Sequence, residues 1–99
     1  MTTIQNIIAE LETAVHPVAR AIHKGEGFKA LAIGFKKGMV LKDHKAHVTS
    51  KLTVLSGAVI YKEAGQQTVL DQYDEIDIPV QVTHSVEAKE DSLCLLTQG

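Results

Sequence analysis

Residues 38–62 read GMVLKDHKAHVTSKLTVLSGAVIYK, and this stretch decides the fold. Met39–His44 and Leu52–Leu55 carry their apolar side chains in short runs of the kind that strands prefer. Ala58–Lys62 is a third strand-like segment, and Ser56-Gly57 separates it from the second. A bend or bulge at this point favours a residue without a Cβ atom. The stretch therefore predicts three successive strands.

The same pattern extends from Phe28 to the end of the chain. Turn signals are frequent, and Ala64-Gly65-Gln66 is typical of a hairpin turn. Pro79 cannot donate to a strand ladder, so it ends one of the segments. Seven or eight short strands at this spacing favour a β-sandwich or barrel. The further predicted strands are Phe28–Phe35, Thr68–Leu70, Glu75–Ile78, His84–Ala88 and Leu93–Thr97.

The beginning of the chain has a helical period instead. Apolar residues recur every three or four positions over residues 3–22, which predicts a helix that ends or breaks near Pro17. Thr2, with Gln5 three residues later, has the pattern of an N-terminal capping box. The apolar face of this helix must cover another surface, either of its own barrel or of a second subunit.

Chain length and composition limit the domain count and the compartment. The 99 residues suffice for one domain and not for two. We expect a helical segment over 1–24 and a single β-domain over 25–99. No apolar run approaches the ~20 residues that span a bilayer, and no signal-peptide pattern begins the chain. Cys94 is the only cysteine, and a chain without disulfides suits the cytoplasm.

The charge balance excludes one class of partner. The formal net charge is −2, the chain contains no Trp, and no stripe of Lys and Arg stands out. Nucleic-acid binding needs clustered cations and uses aromatic side chains for stacking on bases. We therefore expect no nucleic acid as a partner, and the lack of a long apolar run gives the same expectation for a membrane.

Gly38, His44 and Gly57 resemble the first motif of the cupin superfamily. That motif runs Gly, five residues, His, one residue, His, three or four residues, Glu, six residues, Gly. The three residues named here fall in its register, but Ala46 stands at the second His position and Ser50 at the Glu position. The resemblance thus implies a metal-binding motif that has lost two of its ligands.

Pro79 and His84 resemble the second cupin motif in their spacing, although Tyr73, Gln81 and Ala88 replace its two Gly residues and its Asn. The two motifs together cover about residues 30–97. The resemblance implies a jelly-roll barrel of two antiparallel sheets, often paired into a homodimer. It implies no single activity, because cupins include oxygenases, isomerases, sugar binders and storage proteins.

A metal in a cupin usually binds three imidazoles and one carboxylate inside the barrel. Residues two apart on a strand share a face, so His44, Ser50 and His84 are expected to point inward. His47 is one residue out of register, and in a regular strand it lies on the surface. A bulge after Ala46 would turn it inward. His44, His47 and His84 would then form a three-imidazole site for Zn, Fe, Ni or Cu.

The sequence is compatible with three functions. In the first, the barrel interior around His44, Ser50 and His84 binds a small molecule without a complete metal site. The alternative is a metal-dependent oxygenase or isomerase that uses the three-His site. In the third, the pocket is filled by its own side chains and the protein serves as an interaction partner. No catalytic residue is identified.

The short chain and the open edges of a small sheet favour a homodimer.

Overall fold

The computed structural model describes the backbone of residues 1–99 and every side chain except those of residues 43 and 44. One helix is followed by nine strands. Their bounds are α1 Thr3–Leu11, β1 Val18–Gly25, β2 Phe28–Phe35, β3 Val40–His44, β4 Ser50–Ser56, β5 Val59–Glu63, β6 Gln66–Leu70, β7 Glu75–Ile78, β8 His84–Ala88 and β9 Ser92–Gln98. The predicted strands β2, β7 and β8 have the expected bounds, and the others differ by up to two residues at an end.

The strands form two antiparallel sheets that enclose one core. The five-stranded sheet has the order β1-β2-β9-β4-β7, and the four-stranded sheet has the order β3-β8-β5-β6. Apart from the consecutive pairs β1-β2 and β5-β6, neighbours in this order come from distant parts of the chain, as in a jelly roll. The predicted mainly β architecture with an N-terminal helix is therefore confirmed.

Alternation along each strand places one set of side chains between the sheets. Ser50, Leu52 and Val54 of β4 are buried in this way, and Val59 and Tyr61 of β5 face them from the other sheet. The core is built largely of branched aliphatic residues, which suit a pleated and buried surface. Its other buried members include Ile33, Phe35, Leu70, Ile78, Val86, Cys94 and Leu96.

The helix α1 covers the outer face of the five-stranded sheet. Ile7 and Leu11 are its buried residues, and they pack with Ala32 of β2 and Val18 of β1 in a second apolar cluster. The predicted capping box is confirmed, because the Thr2 hydroxyl accepts from the backbone N–H of Gln5 and the Gln5 side chain accepts in return. The helix therefore caps its own barrel.

The predicted helix 3–22 is wrong beyond Leu11, and so is the helical character given to the second half of residues 1–24. Residues 18–25 form strand β1, which pairs antiparallel with β2. Pro17 prevents the helix from continuing, and the backbone groups that follow are satisfied by the edge of the sheet. Val15, counted in the apolar stripe, is 79% exposed. Strand pairing thus overrides the helical spacing.

The hairpin predicted at Ala64-Gly65 is confirmed. Glu63 pairs with Gln66 across a two-residue loop, and both loop residues have positive φ values of 50° and 77°. A tight turn with this geometry matches the right-handed twist of its two strands. Across residues 1–99, no helix is long and apolar enough to span a membrane.

Candidate functional site

A pocket of about 230 Å³ opens at one end of the barrel, and we call it the mouth pocket. It is bordered by the start of β2, β4 and β8, the end of β7 and β9, and the loop after β3. Ala46, Val48, Ile78 and Leu96 form its apolar lining, and its polar lining consists of Lys29, Lys45, His47, Ser50, His84 and Gln98. Three of the four sequence-predicted site residues therefore lie around one pocket.

His84 is held in one orientation at the base of β8. Its side chain is only 3% exposed, and its Nδ1 atom lies 3.1 Å from the carbonyl oxygen of Val82. A carbonyl oxygen can only accept, so Nδ1 carries the hydrogen and Nε2 is the acceptor nitrogen of the neutral ring. The same arrangement is common in imidazoles that bind a metal or a ligand through Nε2.

Ser50 is buried and its hydroxyl already has two partners. Its Oγ donates to the carbonyl oxygen of Val48 at 3.0 Å and accepts from Nε2 of Gln98 at 3.2 Å. Since a hydroxyl has one proton, Ser50 has only a second lone pair left to offer. Ser50 therefore fixes the wall between β4 and β9 and leaves Gln98 as the longer polar side chain there.

His47 lies in the loop after β3 and is exposed to solvent, although it also contributes to the pocket wall. Its Nδ1 atom accepts from Nε2 of Gln81 at 2.9 Å. The backbone N–H of Gln81 donates to the carbonyl oxygen of Ala46 at 2.8 Å, so two contacts tie this loop to the segment before β8. The predicted bulge in a strand is replaced by a bend stabilised by Gln81, which has a φ of 64°.

The fourth predicted residue, His44, has its side chain outside the described part of the structure. Its backbone belongs to β3, and it is paired with His84 in the register of β3 and β8. A direct contact between the two rings stays a prediction, and so does any ligand or metal held by His44.

Tyr61 and Glu63 were missed in the sequence, and they stand beside His84. Glu63 is the register partner of His84 across β5 and β8. The Tyr61 hydroxyl donates to Oε1 of Glu63 at 2.7 Å, and the Tyr61 ring stacks against the His84 imidazole. Burial, followed by the contact with Glu63, raises the pKa of the Tyr61 phenol above its usual range. The alternation Val59, Tyr61, Glu63 could have revealed this shared face.

Two lysines of the mouth pocket were also missed. Lys29 is the second residue of β2, and Lys45 directly follows β3. Both are exposed, and neither forms an ion pair among the described side chains. Lysines at strand ends are common solubilising residues, so their spacing in sequence carries no signal that they surround one pocket.

The described residues do not fit a first-row metal ion. The positions that would supply an imidazole and a carboxylate hold Ala46 and Ser50, and neither is a suitable ligand for such an ion. Among the described side chains, no three His, Cys, Asp or Glu groups are placed to hold a metal. The nearby ammonium groups of Lys29 and Lys45 further oppose a cation through charge repulsion.

A second depression, of about 360 Å³, adjoins the mouth pocket and shares Lys29, Ser50 and Gln98 with it. Its walls include Lys51 and Asp77. The Lys51 ammonium lies 3.9 Å from Asp77 and 3.6 Å from Glu75, so the charges there are largely balanced. Lys51 thus pairs along the outer face of the sheet. The depression is larger, but His84 does not line it, so the mouth pocket is the better candidate.

Cys94 has the structural role expected of a lone buried thiol. It is fully buried between the sheets, and burial raises its pKa to about 12. A thiol in this state is neutral and poorly nucleophilic at ordinary pH. Cys94 therefore belongs to the core and not to the site.

Comparisons with known proteins agree with the geometry. No family model matches the sequence, and no curated protein matches it. Among solved structures, a cupin superfamily protein from Desulfitobacterium hafniense is 16% identical, with a TM-score of 0.79, over 93% of this chain and 86% of that one. An RmlC-like cupin from Desulfovibrio desulfuricans is 25% identical, with a TM-score of 0.77, over 83% and 80%.

A third similar structure is KdgF from a Halomonas species, which is 21% identical with a TM-score of 0.76 over 86% of this chain and 81% of that one. Together with the two-sheet architecture, these likenesses define the class of protein as a jelly-roll β-barrel of the cupin type. The chain is a small cupin-fold domain. Sequence identities at this level support the fold alone. The activity has to be inferred from the residues of the site.

Proposed function

We propose that this protein binds a small molecule in the mouth pocket without a complete metal site. The observation that carries the proposal is the placement of His84, a buried imidazole with a fixed tautomer that lines an open pocket. Ligand sites combine an apolar lining with a few polar groups of fixed orientation. The mouth pocket has this composition, and its volume of about 230 Å³ lies below the ~300–1,000 Å³ of sites for drug-sized molecules, so its ligand would be a small one.

The polar groups have different roles in this proposal. The Nε2 atom of His84 accepts a hydrogen bond when the ring is neutral. Gln98 is anchored to Ser50 through one hydrogen of its amide nitrogen, so its second N–H and its carbonyl oxygen remain for a ligand. Ser50 and Tyr61 act indirectly. Ser50 positions Gln98 through a hydrogen bond, and Tyr61 stacks on the ring of His84.

The test is a titration of ¹⁵N-labelled protein with a library of small polar molecules, monitored by amide chemical shifts. We expect the shifts to concentrate on Ser50, His84 and Gln98. The substitution His84→Ala should weaken binding by about tenfold, which corresponds to loss of a good hydrogen bond and of packing area. His16→Ala removes an exposed imidazole in the segment between α1 and β1 and is the matched control.

Two results would contradict the proposal. One is the absence of any saturable shift up to about 10 mM of each compound, the affinity range in which even weak sites are visible. The other is binding that maps to a different surface and is unchanged in His84→Ala. The thermal midpoint of each variant shows whether the barrel remains folded.

The metal-dependent alternative is a second proposal. It is favoured by the tautomer of His84 and by the presence of His47 on the same pocket wall. It needs the side chain of His44 as well, since the described residues alone do not fit an ion. Elemental analysis of protein purified without a polyhistidine tag tests it. Stoichiometric Zn, Fe, Ni or Cu that is lost in both His44→Ala and His47→Ala supports the alternative, and substoichiometric metal that is unchanged in them refutes it.

We also propose that the protein is a two-fold dimer. Strand β1 is an edge strand of the five-stranded sheet, and all its residues after Val18 are exposed. Exposed edges of this kind are commonly covered by a partner or blocked by charge. A dimeric mass in light scattering at micromolar concentration supports the proposal, and a monomeric mass refutes it.

A further inference from the structure

We infer that the mouth pocket selects small organic anions, in which a carboxylate is recognised by Lys29 and Lys45. This inference rests on the proposed function and names the class of ligand for the same pocket. It explains why the residues around His84 oppose a metal cation.

The first argument is charge. The described residues that line the mouth pocket include two ammonium groups and no carboxylate. The protein as a whole has a formal net charge of −2, so the positive lining does not reflect a general excess of basic residues. A concave surface lined by one sign of charge concentrates ligands of the opposite sign.

The second argument is that neither of these cations has an acidic partner among the side chains that the structure describes. Among the described cations, Arg20 pairs with Glu10, Lys62 with Glu87, and Lys51 with two carboxylates, whereas several other described lysines form no ion pair. Neither Lys29 nor Lys45 makes such a pair. The contrast with Lys51 is direct, because Lys51 lies at the adjoining depression and is balanced there by Glu75 and Asp77.

The third argument is the hydrogen on His47. Its Nδ1 atom accepts from the Gln81 amide, so the hydrogen of the neutral ring is on Nε2. His47 therefore adds an N–H donor to the pocket wall that also carries Lys45. Two ammonium groups and one imidazole N–H form a donor set that matches carboxylate oxygens.

The test compares short carboxylic acids of three to six carbons with their primary amides, which have similar size and shape but no charge. Succinate with succinamide and glutarate with glutaramide are two such pairs. Affinities come from amide shift titrations at low ionic strength. We expect at least one acid to bind at the mouth pocket about tenfold more tightly than its amide. Raising the salt from about 0.05 M to about 0.5 M should weaken the acid and leave the amide unchanged.

Lysine variants provide the second arm. Lys29→Gln and Lys45→Gln should each weaken the acid by about threefold, the size expected for an exposed charge pair, and the double variant by about tenfold. None of them should change binding of the amide. Lys51→Gln is the matched control, because its ammonium is already paired on the outer face. Thermal midpoints check that every variant is folded.

The outcomes separate this inference from the proposed function. If amides bind at the mouth pocket as tightly as acids, the anion preference is wrong and small-molecule binding stands. If acids bind there but the lysine variants and salt have no effect, the assignment to Lys29 and Lys45 is wrong. If neither acids, amides nor the broader library bind at the pocket, the proposed function fails and this inference fails with it.

Discussion

The imidazole of His84 stacks on the phenol ring of Tyr61, with ring centroids 5.7 Å apart and ring planes inclined by 26°. The phenol oxygen donates to Glu63, which is the strand partner of His84. One side of the mouth pocket is thus supported by three linked side chains from β5 and β8. Among the described side chains, the carboxyl group that is paired in register with His84 therefore comes from β5, whereas Ser50 holds the Glu position of the first cupin motif.

The Tyr61→Phe variant should test this support. The ring and its stacking remain, but the half-buried carboxylate of Glu63 loses a donor, so we expect a loss of about 1–2 kcal/mol in the free energy of unfolding. Tyr61→Leu, which also removes the stacking, should cost more and should shift the imidazole resonances of His84. Urea denaturation and side-chain NMR measure the two effects. Equal stability of Tyr61→Phe and the wild type would show that the hydrogen bond is not stabilising.

The buried thiol of Cys94 should make the stability depend on pH. Its pKa rises from 9.0 to about 12 on folding, so the folded state retains a proton that the unfolded chain releases. The stabilisation is therefore fully present below about pH 9 and decreases as the pH rises toward 12, by up to about 1.4 kcal/mol per unit. Tyr61 acts in the same direction at higher pH, because its pKa is also raised by burial.

The contribution of Cys94 is isolated by comparison with Cys94→Ala. Urea unfolding under reducing conditions at about pH 7.5, 9 and 10.5 should show a steeper loss of stability in the wild type than in the variant. A thiol reagent should also react with the native protein only as fast as the barrel opens. The same pH slope in both proteins would contradict the assignment to Cys94.

Gly57 should tolerate no side chain. Its φ is 84°, and a Cβ there would overlap the backbone carbonyl oxygen of Asp91 and the hydroxyl of Ser92. We expect Gly57→Ala to cost about 2–4 kcal/mol, since backbone strain and overlap add. Gly65→Ala is the matched control, because Gly65 has a φ of 77° with no atom within 4 Å of the added Cβ. It should cost only about 1 kcal/mol. Similar losses in the two variants, measured by thermal unfolding, would contradict the crowding at Gly57.

The alternation of apolar and polar residues was sufficient to predict most of the fold. In β2, β7 and β8 it coincides with the actual strands, because these segments are bounded by glycine, proline or charged turns. It failed in β1, where the residues after Pro17 have helical spacing but pair with β2. That pairing depends on the assembled sheet, so the local spacing of apolar residues cannot predict it.

The site was predicted less completely than the fold. The spacing of the two motifs brought Ser50 and His84 to one pocket, because register in a jelly roll is set by the buried face. The lysines and the Tyr61–Glu63 pair were not predicted, because the residues that surround them become neighbours only when the strands associate. The position of His47 depends on the conformation of the loop after Ala46. This loop is stabilised by a hydrogen bond from Gln81, and its sequence has no periodic pattern from which that conformation could be predicted.

Docking of α1 depends on the absence of a side chain at Gly34. A Cβ there would lie 2.5 Å from Cγ2 of Ile7 and 2.7 Å from Cδ1 of Leu11. We expect Gly34→Ala to lower the free energy of unfolding by about 1–3 kcal/mol through overpacking. In the Ile7→Ala background the overlap with Cγ2 is removed and only the contact with Leu11 remains, so the cost of the added methyl group should be clearly smaller than in the wild type. An undiminished cost in the double variant would show that the destabilisation does not arise at the interface with the helix.

The turn at Gln81 combines a strained backbone with a side chain that bonds to His47, and the two effects can be separated. Gln81 has a φ of 64°, a conformation that costs a residue with a Cβ about 1 kcal/mol relative to glycine, and its amide donates to His47. Gln81→Ala should lose the hydrogen bond and keep the strain. Gln81→Gly should lose the same bond and relieve the strain, so it should be about 1 kcal/mol more stable than Gln81→Ala. In both variants the ¹⁵N shifts of the His47 ring should lose the preference for a hydrogen on Nε2. Retention of that preference would mean that Gln81 does not set the tautomer, and equal stability of the two variants would mean that the backbone at this position is not strained.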